Sequence, residues 1–366
     1  MTILCEPDPT WATVLTAVAD GDVRPVETLA DAGRVLAASP RETLVVLGPG
    51  VDLEHALRFA SDVRLSGVDA RLVLVRESVT PALRARAGES GVASVVAAAD
   101  RVALAAAFRR ARKPRRGAGQ VITVLAARDG YGKTTVAIGL AAALPGRVCL
   151  LDLDLGFGDL ASTLSLTPER SLAQAAGRYR AVTPAMLGTL AMPAWSDVDC
   201  VVAASKPGEA TRVPTAMVAD LLAILRGAYD FVVVDTVERY PAHALVASDR
   251  SQHHVLVTTA ELPALRRLRF TLDVLDVLPY GRTSRSVVVN RVHPGAQLST
   301  SDIEEVLKSR VAVALPSTPD VPDSVNRGEV LVSTRPHHPF SAAVRGFADS
   351  IAQPNTTTTE KRKKHA

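Results

Sequence analysis

The 366-residue sequence predicts an α/β protein made of two successive units, each a mostly parallel sheet covered by helices. Three observations carry that expectation. Short apolar, β-branched runs alternate with stretches of helical periodicity along the chain. A glycine-rich loop, Gly130-Tyr131-Gly132-Lys133-Thr134-Thr135, follows one such run and opens a helical stretch. A segment rich in Pro, Gly and Arg around residue 113 divides a chain that is longer than one ordinary domain. The composition agrees: 47% of residues are apolar but only 4% aromatic, so the core is aliphatic, as buried parallel strands and their helices require.

The first unit is assigned to residues 1–112. Its candidate strands are Thr2–Cys5, Thr43–Leu47, Arg71–Val75 and Val92–Ala97, and a helical stretch, Arg101–Arg112, closes it. The layout resembles a response-regulator receiver domain, which implies a flavodoxin-like fold. The receiver's chemistry is absent. Gly48 stands where a phosphorylatable Asp should end the third strand, and no Lys follows the last one. Glu6 and Asp8 sit where the receiver's acidic pair would be. A pseudo-receiver used for docking or dimerisation is expected, with an unrelated βα unit as the alternative.

Residues 113–119, Lys-Pro-Arg-Arg-Gly-Ala-Gly, read as a basic flexible linker. Residues 353–366 read as a disordered tail that ends in a basic run, Lys361–Lys364. The net charge is only +4, yet Arg109, Arg110, Arg112, Lys113, Arg115 and Arg116 lie in one short stretch. The body of the chain is therefore mildly acidic. Such runs are solvated segments or contacts for an acidic surface. No apolar run reaches the roughly 20 residues that cross a bilayer. The N-terminus lacks a basic region followed by an apolar stretch, which argues against a signal peptide. Cys5, Cys149 and Cys200 are far apart and odd in number, so reduced, packed thiols in a cytoplasmic protein are expected.

The second unit, residues 120–352, carries the chemistry. Val121–Leu125 reads as a buried strand and Val136–Leu144 as a helix, the context a phosphate-binding P-loop requires. Gly130 and Gly132 let the backbone bend so that N–H groups of the loop, Tyr131 included, converge on phosphate oxygens. The helix presents its positive end to the same anion. Lys133 would meet the β- and γ-phosphates, Thr134 would offer a hydroxyl to Mg²⁺, and Thr135 would bond the α-phosphate. Two further apolar runs end in acids, one in Asp152-Leu153-Asp154 and one in Asp235. Strand ends of this kind line the ligand crevice of an open parallel sheet.

These residues resemble the MinD/ParA family of P-loop ATPases, whose switch motif and Walker B strand look like Asp152-x-Asp154 and Phe231-Val-Val-Val-Asp235-Thr236. The resemblance implies ATP and Mg²⁺ as cofactors. It implies that Asp154 positions the attacking water, that Asp152 supports the metal and that Asp235 holds it through water. Val287-Val288-Val289-Asn290-Arg291 is similar to the family strand whose Asn reads the adenine edge, and Arg291 goes with it. Leu315-Pro316 and Val325–Leu331 resemble the segment that closes over the base. Leu151–Leu160, Ser171-Leu172-Ala173 and Val257–Arg266 resemble the CpaE/TadZ branch, which serves tight-adherence (Flp-type) pilus systems. That branch implies a homodimer bridged by ATP, partners in pilus or secretion machinery at the membrane, and a position at the inner membrane face or cell pole. A partition or septum-site ATPase on DNA or membrane, or a silent scaffold, is the alternative; nucleic acid ranks behind protein partners.

The loop departs from the family pattern. Ala127, Arg128 and Asp129 stand where two glycines and a lysine are usual. Arg128 keeps the charge of the lysine that reaches a partner's phosphates, but the two side chains are not interchangeable. Asp129 brings a carboxylate toward an anionic ligand, which weakens binding unless the side chain turns outward. Weak or slow hydrolysis is expected. Phe340, Val344, Phe347, Ala348 and Ile351 recur at helical spacing and are expected to pack on the core. The pairs His253-His254 and His337-His338 lack metal-ligand spacing, and Arg266, Arg267 and Arg269 read as a solvated face.

Overall fold

The computed structural model describes residues 1–19, 22–38, 43–66, 68, 70–101, 104–105, 107–108, 118–156, 158–168, 170–177, 179–195, 198–203, 213–237, 241–278 and 284–352. Most of the stretch Arg101–Arg112, the basic part of the linker and the whole tail lie outside the described residues, as does Phe157 of the switch-like run.

The N-terminal sheet has five parallel strands: β1 (Thr2–Cys5), β2 (Val23–Val26), β3 (Thr43–Leu47), β4 (Ala70–Arg76) and β5 (Ser94–Ala97). Their order is β2-β1-β3-β4-β5, with Thr2 opposite both Val23 and Leu44. Every residue of β1 and β3 is buried. Helices cover both faces of the sheet, so these strands read as continuous apolar runs without alternation. Strand β2 was not among the expected strands. It lies at the sheet edge, carries Pro25 and buries none of its four residues fully, so it lacks the apolar signature of its neighbours.

The second sheet has eight strands: β6 (Gln120–Ala126), β7 (Val148–Asp152), β8 (Met192–Trp195), β9 (Val198–Val201), β10 (Phe231–Asp235), β11 (His253–Thr259), β12 (Arg285–Val292) and β13 (Val311–Pro316). The order is β13-β12-β11-β6-β10-β7-β9-β8, parallel except for the edge hairpin of β8 and β9. One face is closed by the helices Lys133–Ala143 and Pro339–Ala352. Phe340, Val344, Phe347, Ala348 and Ile351 of the latter share a core with Val136, Leu140 and Val233, as their spacing predicts. On the other face, Met217, Val218, Leu221, Leu222 and Leu225 of the helix Thr215–Ala228 pack against Val121, Leu151 and Val232. Strand β11 sits in mid-sheet and its residues after His253 are buried. All three cysteines are free and buried. Among the described residues, no helix is long and apolar enough to cross a membrane.

The two histidines that open β11 serve the sheet. The His253 ring lies 2.9 Å from the Ser286 hydroxyl on β12, and the His254 ring lies 3.3 Å from the Ser248 carbonyl. Burial, reinforced by His254, pushes the His253 imidazole down from 6.5 to about 4. A ring that binds its proton more weakly when folded favours unfolding once the unfolded chain begins to protonate. Stability is therefore expected to fall by on the order of 3 kcal/mol as pH drops from about 6.5 to about 4. Thermal melts across that range should show the loss, and His253→Gln should flatten the curve. An unchanged pH profile in that variant would exclude His253 as its source.

Candidate nucleotide-binding site

The ends of β6, β7, β10, β12 and β13 lie along one edge of the second sheet, and most of the candidate residues gather there. Strand β6 ends at Ala126, and the glycine loop leads into the helix that starts at Lys133. Gly130 and Gly132 both take left-handed backbone conformations, with φ of 84° and 89°. Gly132 is the N-cap, and its carbonyl accepts the Val136 N–H at 3.0 Å. No side chain caps this helix end, so its first amides and its dipole face the loop. Lys133 is only 7% exposed, an unusual place for a lysine unless its ammonium has a task in the cradle.

The acids converge as the strand register dictates. Asp235 on β10 stands opposite Asp152 on β7 and Val124 on β6. The Thr134 hydroxyl donates to Asp235 Oδ2 at 2.7 Å. Asp152 Oδ1 accepts the Asp154 N–H at 2.9 Å, and Asp154 Oδ1 accepts the Gly156 N–H at 3.2 Å. Burial pushes the Asp235 carboxyl up to about 6 against the pull of the Thr134 hydroxyl and the Lys133 ammonium. Burial, with Asp235 beside it, also holds Asp152 well above the usual carboxylate range. Asp235 Oδ1 is buried and has no hydrogen-bond partner among the described residues. An orphaned buried oxygen beside a second buried carboxylate and a hydroxyl is an all-oxygen donor set that suits a hard divalent cation such as Mg²⁺. The Thr236 hydroxyl donates to the Val124 carbonyl at 2.7 Å and pins the end of β10 to β6. Sequence reasoning gave Thr236 no role of its own; its only signal was its place after the strand-ending acid.

Two side chains are committed within the loop. The Asp129 carboxylate, though exposed, forms an ion pair with the Lys133 ammonium. The carboxylate lies within reach of a buried cation four residues on in the same loop. The Asn290 amide is directed at the loop. Its Nδ2 donates to the Tyr131 carbonyl at 3.0 Å, and its Oδ1 accepts the Arg291 N–H at 3.0 Å. The left-handed backbone of Arg291, φ 57°, accompanies that short return, and the Arg291 side chain is exposed. Asn290→Ala should accordingly loosen the loop and weaken ATP binding by about tenfold, the worth of one buried hydrogen bond. Titration calorimetry checks this; undiminished affinity would show that the brace is dispensable.

The remaining candidates lie around this centre. Thr135 lines a small apolar cleft with Ile138, Leu164, Val325, Glu329 and Val330, part of the segment expected to close over a base. Pro316 ends β13, paired with Val292, on the same edge of the sheet. Arg128 is exposed on the loop.

The N-terminal acids have structural tasks. Asp8 caps the helix Pro9–Val18 by accepting the Thr10 N–H at 2.7 Å. Glu6 is buried and accepts the amides of Asp8 and Gly50. The buried Arg76 guanidinium donates to the carbonyls of Gly48 and Val51, tying β4 to the loop after β3.

The family model for the CobQ/CobB/MinD/ParA nucleotide binding domain matches residues 122–332. The septum site-determining protein MinD of Thermotoga maritima is 26% identical over 237 residues, covering 57% of this chain and 80% of that protein. A ParA family ATPase from Chlorobium tepidum superposes with a TM-score of 0.59 at 21% identity, over 63% of this chain and 99% of that one. MinD from Pyrococcus horikoshii, solved with Mg-ADP, gives a TM-score of 0.57 at 20% identity, over 64% of this chain and 96% of that one. At these identities the two structures speak for the fold.

Proposed function

The chain belongs to the CobQ/CobB/MinD/ParA nucleotide-binding family, and from that premise we propose that it is an ATP-switched dimeric localisation and assembly factor of the CpaE/TadZ type. The observation that carries the nucleotide reading is the cradle itself: two left-handed glycines, an uncapped helix end, a buried Lys133 and the Thr134–Asp235 hydrogen bond. Mg-ADP in the Pyrococcus relative supports the same ligand class. Bound Mg²⁺ would neutralise phosphate charge and draw on Asp235, Asp152 and Thr134. Asp154, half-buried beside Asp152, would orient a water, and the exposed Arg128 would reach the phosphates of a second copy. Hydrolysis is weak or slow in this reading, because Ala127, Arg128 and Asp129 replace the usual loop residues, and losing one charge-stabilising group costs ~10²–10³ in rate.

The pilus assignment rests on the resemblance of Leu151–Leu160 and Val257–Arg266 to that branch, together with the extra N-terminal sheet. That sheet lies outside the family match, and its order β2-β1-β3-β4-β5 is that of flavodoxin-like folds. In this reading residues 1–112 form a pseudo-receiver that docks or dimerises, because Gly48 offers no acceptor and Glu6 and Asp8 are committed to backbone amides. Residues 113–119 would be its linker, 120–352 the ATPase and 353–366 a tail. The protein would work in the cytoplasm, at the membrane face or cell pole. The MinD likeness favours a septum-site or partition role equally. Calorimetry with ATP and Mg²⁺, read beside the mass of the same sample in solution, tests the switch: uptake must bring dimerisation. Retention on DNA or anionic vesicles that falls steeply with salt would favour the second role.

A further inference from the structure

The ion pair inside the loop has a functional consequence that rests on the nucleotide reading above. The Lys133 ammonium is the buried cation of the cradle, and the carboxylate on it comes from Asp129, four residues earlier in the same loop and 60% exposed. A phosphate group that takes Lys133 must first displace this carboxylate. The carboxylate then remains close by, since its backbone is part of the cradle. Coulomb repulsion between it and the ligand grows with the ligand's net charge. Free ATP, with its full charge, is penalised most, and ATP already complexed with Mg²⁺ much less. We propose that Asp129 is a specificity-determining gate, which holds Lys133 in the ligand-free protein and yields it to magnesium-complexed nucleotide in preference to free nucleotide.

The test is ATP titration calorimetry on the full chain, with Mg²⁺ and with a chelator, for the wild type, Asp129→Asn and Asp129→Gly, each confirmed folded by thermal melting. Both variants should bind free ATP about tenfold more tightly and Mg·ATP about threefold more tightly than the wild type, so the preference for the magnesium complex shrinks. Any contribution of Asp152 and Asp235 to Mg²⁺ binding is common to all three proteins and cancels in that comparison. A wild type that takes up no ATP while Asp129→Gly does would be the gate at its most closed. Equal affinities and equal magnesium preference in all three proteins would overturn the gate and leave the nucleotide site standing. No uptake by any of them, with or without Mg²⁺, would remove both.

Discussion

Replacing Lys133 with alanine is expected to weaken Mg·ATP binding by at least about a hundredfold while leaving the protein folded. The ammonium is the cation at the start of the helix that follows the loop, and a charge-assisted hydrogen bond to phosphate is worth about 1.5–3 kcal/mol before the loss of field in a buried site is added. Alanine is the best helix former and occupies the first helical position here, so the backbone has no reason to change. The ion pair lost with Lys133 leaves behind a carboxylate that is 60% exposed and open to water, so little stability is lost with it. Calorimetry and a thermal melt on one sample therefore separate binding from folding. Full ATP affinity and unchanged self-association in this variant would end the nucleotide-switch reading.

Gly132→Ala should be nearly as damaging, and for a different reason. Its φ of 89° lies in a region that costs an L-residue about 1–2 kcal/mol. The new Cβ would also lie 2.2 Å from Asn290 Nδ2. Asn290 is 4% exposed, so it can retreat only by giving up its hydrogen bond to the Tyr131 carbonyl. Strain and the lost brace together reach about 2–4 kcal/mol, spent on the cradle itself. The expected result is a loss of ATP affinity of about a hundredfold, with a lower melting temperature. Gly130→Ala is the internal control: it shares the left-handed conformation, φ 84°, but its Cβ would meet nothing within 4 Å. It should cost only the conformational part. If the two alanine variants behave alike, the Asn290 contact has no influence on the loop.

Much of this arrangement could be read from the chain. The apolar runs that end in Asp152 and Asp235, and the glycine loop between strand and helix, gave the second sheet its central elements and placed the acids at strand ends, because burial on both faces leaves an unmistakable aliphatic run. Edge elements were harder. Strand β2 contains Pro25 and no fully buried residue, so neither apolar content nor alternation marks it. The hairpin of β8 and β9 is likewise short, and β8 contains Pro193. Inside the site, residue types suggested chemistry but not direction. Nothing in the order of residues says that Asp129 turns onto Lys133, which the bend of the loop decides, or that the Asn290 amide faces Tyr131, which depends on how β12 and the loop meet across more than 150 positions of chain.

The seating of the helix Pro339–Ala352 decides how one common experiment can be interpreted. Phe340, Val344, Phe347 and Ile351 are buried against the helix that begins at Lys133 and against the sheet behind it. Shortening the chain from its C-terminus past Ala352 would strip the backing from the very helix whose first turn forms the cradle. The phenotype of a truncated protein would thus report a damaged nucleotide-binding domain, whatever else the deletion removed. Mapping of membrane or partner contacts is better done by point substitution at exposed positions than by deletion.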